Sequence, residues 1–287
     1  MIKHRIISSI FLIPFIILII LELSLKKLTF FLLLLNLLCI WEWNKLCATS
    51  IIQKLTLFII FNVLPLILII LTTFYLPHHI FISHIKYIFI IISLTWWLIA
   101  LLLILFYPIS TKIWKKSSFF KLLFGNLTII PFIWSIIILK KENQIFYYNY
   151  SIGTWKILYV IILVWELDSS FYIFGKLLGN YKLSENISPK KTWEGLIIGT
   201  ILTIITQWVF KKYIIPFHIT TIKFNIYCII IMISAILGDL TESMFKREAK
   251  IKDTGTLIPG HGGILDRIDS LSSTLPIFTC LTLLINL

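Results

Sequence analysis

Uninterrupted apolar runs of about 20 residues, the length that crosses a bilayer, recur along this chain and constrain its fold more than any other feature. A soluble domain needs polar side chains to cover its surface, yet the 287 residues are 59% hydrophobic and only 14% charged. The expectation is an all-α, polytopic integral membrane protein with about nine transmembrane helices, near 6-22, 28-44, 55-75, 87-107, 120-139, 155-174, 196-215, 226-245 and 268-287. A secreted, fibrous or disordered chain is excluded. Lys3 and Arg5 ahead of the first run could open a signal peptide, but Leu21 to Lys27 offers no small-residue cleavage site, so the segment is expected to stay as the first helix. Cys39, Cys47, Cys228 and Cys280 form no CxxC pair and read as small core residues, not a zinc site or disulfide frame.

Basic residues exceed acidic ones by 26 to 13. In a membrane protein such an excess belongs to cytoplasmic loops, and no stretch resembles a nucleic-acid reader, so no nucleic-acid partner is expected. With nine spans, the side holding the N-terminus collects sixteen Lys and Arg against eight on the other, which puts that side in the cytoplasm. Ten of the thirteen acidic residues fall between Glu166 and Asp269. The chain therefore divides into a helical scaffold, 1-150, and a catalytic region, 151-287, with polar loops at 175-195 and 246-267 facing the cytoplasm.

The strongest polar block runs from Ser243 to Asp269. Just before and within it, Asp239, Glu242, Ser243 and Lys246 fall at i, i+3, i+4 and i+7, hence on one helical face. Asp266 and Asp269 share a face as the last helix begins. Carboxylates on apolar helices are costly at membrane depth and persist where they bind cations or line a wet cavity; oxygen ligands suit Mg²⁺, which takes one or two carboxylates plus substrate phosphates. Alternatively, Asp266 and Asp269 only complement a positive helix N-terminus. Pro259-Gly-His-Gly-Gly263 is a turn whose glycines let backbone N–H groups approach an anion, or else a tight connection. The cations Lys246, Arg247, Lys250, Lys252 and Arg267 around it favour phosphate. His261 could be an acid or base, a phosphate donor or a turn residue, and phosphate contact is the preferred role.

A second block, Trp165 to Gly179 followed by Ser188-Pro-Lys-Lys-Thr-Trp-Glu-Gly195, sets Asp168 inside an apolar span. Ser188 and Pro189 suit the N-cap and N1 of the next helix, with Lys190 and Lys191 beside its positive end. A lysine pair there could instead touch anionic lipid headgroups, and Asp168 could be a packing residue.

The pattern S-x-x-K-R-x-x-x-x-K-D-x-G-x-x-x-P-x-H-G-G-x-x-D-R-x-D, from Ser243 to Asp269, resembles the signature of phosphatidate cytidylyltransferases, also called CDP-diacylglycerol synthases. Leu237-Gly-Asp-Leu-Thr-Glu-Ser243 and Ser188 to Gly195 resemble further segments of that family, so the likeness covers roughly the second half. Near Asp168 the chain departs from the family's D-[ST]-G-A-Y-like run, with Glu166 before it and Ser170-Phe171 after it.

The resemblance implies transfer of a cytidylyl group from CTP to phosphatidate, giving CDP-diacylglycerol and pyrophosphate in phospholipid biosynthesis, with Mg²⁺ required. It implies a multi-pass inner-membrane enzyme whose site faces the cytoplasm, with a homodimer as the assembly to test. A phosphate monoester is already largely ionised near pH 7, so no strong general base is needed. By this likeness Asp239, Asp266, Asp269 and Asp168 are the expected metal ligands. Lys246, Arg247, Lys252, Asp253, His261 and Arg267 are the expected catalytic set. Ser188, Lys190, Lys191, Ser243, Gly262 and Gly263 are expected to hold substrate. Lys190 and Lys191 lie where a lipid headgroup rests, whereas Lys246, Arg247 and Arg267 surround the turn expected to hold nucleotide. Two alternatives stay open: another membrane headgroup transferase, although the D-G-x-x-A-R…G-x-x-x-D-x-x-x-D spacing of CDP-alcohol phosphotransferases is absent, and a transporter, although the charges cluster at span ends instead of marking a path across.

Overall fold

The computed structural model describes residues 2–47, 67, 69–70, 81–141, 146–147, 150–213, 220–257 and 262–285. In chain order it holds α1 (Ile2–Glu22), α2 (Leu25–Trp43), α3 (Phe81–Leu105), α4 (Ser118–Lys140), the β1–β2 pair (Phe146–Tyr147 and Tyr150–Ser151), α5 (Ile152–Leu178), the β3–β4 hairpin (Lys182–Ser184 and Ser188–Thr192), α6 (Trp193–Tyr213), α7 (Thr221–Glu248) and α8 (Leu265–Ile285). Both β pairs are antiparallel.

Local chemistry sets the breaks between apolar runs. Ser117 and Ser151 accept from the backbone N–H of Phe120 and Thr154 at the starts of α4 and α5. At the end of α7, Lys250 takes a left-handed φ of 56°. The N–H of Ile251 then donates to Lys246 O and that of Lys250 to Arg247 O, a Schellman closure that turns the chain into the polar loop.

Five helical stretches are long and apolar enough to cross a membrane: Tyr87–Leu105, Ser118–Lys140, Ile152–Leu178, Trp193–Lys212 and Thr221–Glu248. The described residues thus supply fewer spans than the nine expected. The run at 55-75 lies almost wholly outside the described residues. Helix α2 carries Lys26, Lys27 and Glu42, which breaks its apolar character.

Helix α8, expected as a span at 268-287, is not among these five stretches and packs inside the bundle against α3, α4, α5 and α7. Its Ser270, Ser272, Ser273, Thr274, Thr279 and Thr282 are all buried. Several of these hydroxyls donate one turn back along the helix, Thr274 to Ser270 O at 2.6 Å and Thr279 to Leu275 O at 2.8 Å, so they need no water.

One apolar core runs through both halves of the chain. Near the end of α7 it is aromatic: the Phe245 ring lies 5.1 Å from Trp43 of α2, 4.7 Å from Trp114 and 6.0 Å from Phe124 of α4. Trp43 Nε1 also donates to Lys121 O at 2.8 Å, fixing the end of α2 where the polar loop begins.

Candidate active site

The site forms where α5 and α7 finish and α8 begins. Helix α5 brings Asp168, α7 brings Asp239, Glu242, Ser243 and Lys246, and α8 brings Asp266 and Asp269. The shared face read from the i, i+3, i+4, i+7 spacing is realised. Ser243 Oγ donates to Asp239 Oδ1 at 3.2 Å, and Lys246 Nζ pairs with Glu242 Oε1 at 3.1 Å.

The β3–β4 hairpin folds over this end, and here the structure corrects one expectation. Ser188 and Pro189 do not cap a helix; they lie in strand β4, and the helix starts five residues after Ser188, at Trp193. The cap falls to Thr192, whose Oγ1 accepts from Gly195 N at 3.3 Å. Two more ties bind this helix start: the Glu194 carboxylate accepts from Tyr181 N at 3.0 Å, and Trp193 N donates to Tyr181 O at 2.9 Å. The physical reason is the hairpin's own pairing, Lys182 with Thr192 and Ser184 with Ser188, which Pro189 tolerates on an edge strand.

That register aims Lys191 into the carboxylates. Its ammonium forms an ion pair with Asp239, both side chains only 18% exposed. Burial opposes the lysine's charge, but Asp239, Asp168 and Asp269 around it outweigh burial and hold its pKa above the ordinary lysine value. Asp168 in turn accepts from Ser270 Oγ at 3.3 Å. Lys191 therefore lies among carboxylates, not out at a headgroup position, while Lys190 is exposed. Arg247 Nε donates to Ile187 O at 3.0 Å, propping the hairpin from below.

Asp266 has a different environment from the other three aspartates. Its Oδ1 accepts from Lys246 at 2.9 Å. Its Oδ2 accepts from the N–H groups of Thr254 and Gly263, each at 2.8 Å, and lies 3.0 Å from Thr254 Oγ1. It ties together both ends of the polar loop. Gly262 sits beside it at φ +87°, a conformation that needs glycine. Lys252, Asp253 and Arg267 are exposed around the same loop. His261 lies outside the described residues.

One member escaped the sequence reading. Glu42, at the end of α2, is fully buried, and its Oε2 accepts from Leu265 N at 2.9 Å and from Thr254 Oγ1 at 3.2 Å. The signal existed, because a carboxylate in an apolar run is the same costly feature that singled out Asp168.

Among the described residues, no three His, Cys, Asp or Glu side chains close into a metal-ligating group. Asp168, Asp239 and Asp269 come from three helices and offer only oxygen, with the ammonium groups of Lys191 and Lys246 beside them; these are the residues that could hold a hard cation. Mg²⁺ characteristically takes one or two carboxylates and completes its shell with water and phosphate.

Residues 3–285 match the cytidylyltransferase family. The chain belongs to this family. It is similar to proteins named phosphatidate cytidylyltransferase from several bacteria. The Haemophilus influenzae protein is 42% identical over 194 residues, 65% of this chain and 65% of that relative. The Pseudomonas aeruginosa protein is 34% identical over 192 residues, 67% of this chain and 68% of the relative. The Staphylococcus haemolyticus protein is 44% identical over 136 residues, 47% of this chain and 52% of the relative. The chain thus spans between about half and two thirds of the curated relatives it matches.

Proposed function

We propose that the protein transfers a cytidylyl group from CTP to phosphatidate, releasing pyrophosphate and leaving CDP-diacylglycerol in the membrane. The observation that carries this reading is the gathering of Asp168, Asp239 and Asp269 about Lys191, with Ser243 and Ser270 holding two of the carboxylates, at one end of an apolar bundle. Family membership and the relatives' names supply the substrate pair. The reading includes an inner-membrane location with the site facing the cytoplasm, for which the support is the sixteen-to-eight distribution of basic residues when nine spans are counted. It also includes a homodimer, which chemical cross-linking in bilayers tests.

In the reaction a phosphatidate oxygen attacks the α-phosphorus of CTP, the bond to the β-phosphate oxygen breaks, and pyrophosphate departs in line. Two anions must meet, so catalysis is mostly a matter of positioning and charge. Asp239 and Asp168, with Asp269, would hold Mg²⁺, which when bound screens the triphosphate and steadies charge on the transferring group. Lys191, fixed by Asp239, points its ammonium at the same place. Lys190 on the outer side of the hairpin meets the lipid phosphate. Arg267 and Lys252, exposed around the glycine loop, meet the nucleotide phosphates. Asp266 and Lys246 act by holding the loop in shape.

Pyrophosphate release by the purified protein tests the reading. Release should require CTP, phosphatidate and Mg²⁺ together, and should stop when phosphatidate is replaced by diacylglycerol, which lacks the attacking phosphate. Release from CTP alone would mark a hydrolase and refute the transfer.

A further inference from the structure

Glu42 belongs to the half of the chain that otherwise reads as scaffold, yet its carboxylate ends inside the polar loop of the other half. It is fully buried. Oε2 accepts from the first backbone N–H of α8, at Leu265, and from Thr254 Oγ1. Thr254 has a single hydroxyl proton, so Glu42 and Asp266 compete for it and draw on the same residue from opposite sides. Beside Thr254 the loop meets the carboxylate with glycines: a Cβ on Gly255 would collide with Oε1, and one on Gly263 with Oε2. Among the described residues, Oε1 itself is buried without a hydrogen-bond partner. A carboxylate in that condition is costly, since a buried charge needs its donors. The aromatic packing and the Trp43 hydrogen bond to Lys121 leave α2 little freedom to withdraw it.

We propose that Glu42 is a positioning residue for cytidylyl transfer: from α2 it clamps Thr254, Gly255, Gly263 and the start of α8, and so sets where Asp266, Arg267 and Asp269 stand. The proposal rests on the function given above. Glu42 touches neither substrate nor metal; it acts through the loop and the helix start.

The test uses full-length protein in detergent with phosphatidate in mixed micelles, and compares Glu42→Gln, which keeps the shape, with Glu42→Asp. Loss of one charge-assisted buried contact corresponds to about a ten- to hundredfold effect. Glu42→Gln should lower kcat by that factor, leave the KM for phosphatidate unchanged and keep the thermal midpoint within a few degrees; Glu42→Asp should recover part of kcat. A double-mutant cycle reads the route of action. Gly255→Ala should be damaging in the natural background, where its Cβ meets Glu42, and should add little in Glu42→Ala. A second readout needs no catalysis. All four natural cysteines are buried, so a nitroxide on Thr256→Cys, an exposed position, reports the loop alone, and its mobility should rise in Glu42→Gln. Inactive natural protein in which Glu42→Gln still loosens the nitroxide would overturn the enzyme reading while keeping the clamp. Unchanged kcat, activity lost only in proportion to unfolded protein, or a nitroxide indifferent to Glu42→Gln would overturn the proposal.

Discussion

Lys191 and Asp239 are paired, yet the pair is not neutral ground, because Asp168 and Asp269 also face the ammonium. Removing Lys191 therefore leaves carboxylates uncompensated, whereas removing Asp239 leaves the ammonium to Asp168 and Asp269. Asp239→Asn should lower kcat on the order of a hundredfold with the protein still folded, since one formal charge disappears without change of shape. The check is kcat beside the thermal midpoint, and near-normal turnover would remove Asp239 from the metal-holding set. The two hairpin lysines should separate in the same assay. Lys190 is exposed, so Lys190→Ala should raise the surface concentration of phosphatidate needed for half-maximal rate about tenfold at unchanged kcat. Lys191→Ala should lower kcat instead, because it leaves Asp239 and Asp168 facing each other. Identical behaviour of both variants would contradict the geometry.

At the level of elements, the glycine loop is held by its two ends, Thr254 and Gly263, through the single carboxylate of Asp266. Gly262→Ala would force an L side chain into a left-handed φ and set its Cβ 2.9 Å from Asp266 Oδ2. It should cost about tenfold or more in kcat/KM with the helical circular dichroism unchanged. Much of this was legible in the sequence: apolar runs marked most of the described helices, and the 239 to 246 spacing gave one face of α7. The hairpin was not legible, because Ser188-Pro189 carries the same N-cap and N1 signals as a helix start, and only cross-strand pairing with 182–184 overrides them. The central place of α8 was not legible either, because local composition does not say which helix lies in the middle. Glu42 carried a local signal, a carboxylate in an apolar run, but its role was not legible because its partners are more than two hundred positions away.

Across the whole molecule, the buried carboxylates Glu42, Glu242 and Asp266 gather at one end of an apolar bundle, while Lys140 and Lys156 are buried elsewhere, and the proposed topology turns the carboxylate end to the cytoplasm. A cysteine at Thr256, labelled with an impermeant maleimide, should react in inside-out vesicles and stay protected in right-side-out ones. The opposite pattern would invert the topology. The central claim is that this end moves a nucleotide onto a lipid. It is tested most directly by incubating the purified protein with α-³²P-CTP, phosphatidate and Mg²⁺ and extracting the lipid. The account predicts label in CDP-diacylglycerol, absent without phosphatidate and reduced on the order of a hundredfold in Asp239→Asn. Lipid that stays unlabelled with folded natural protein, or label that enters equally well in Asp239→Asn, would contradict it.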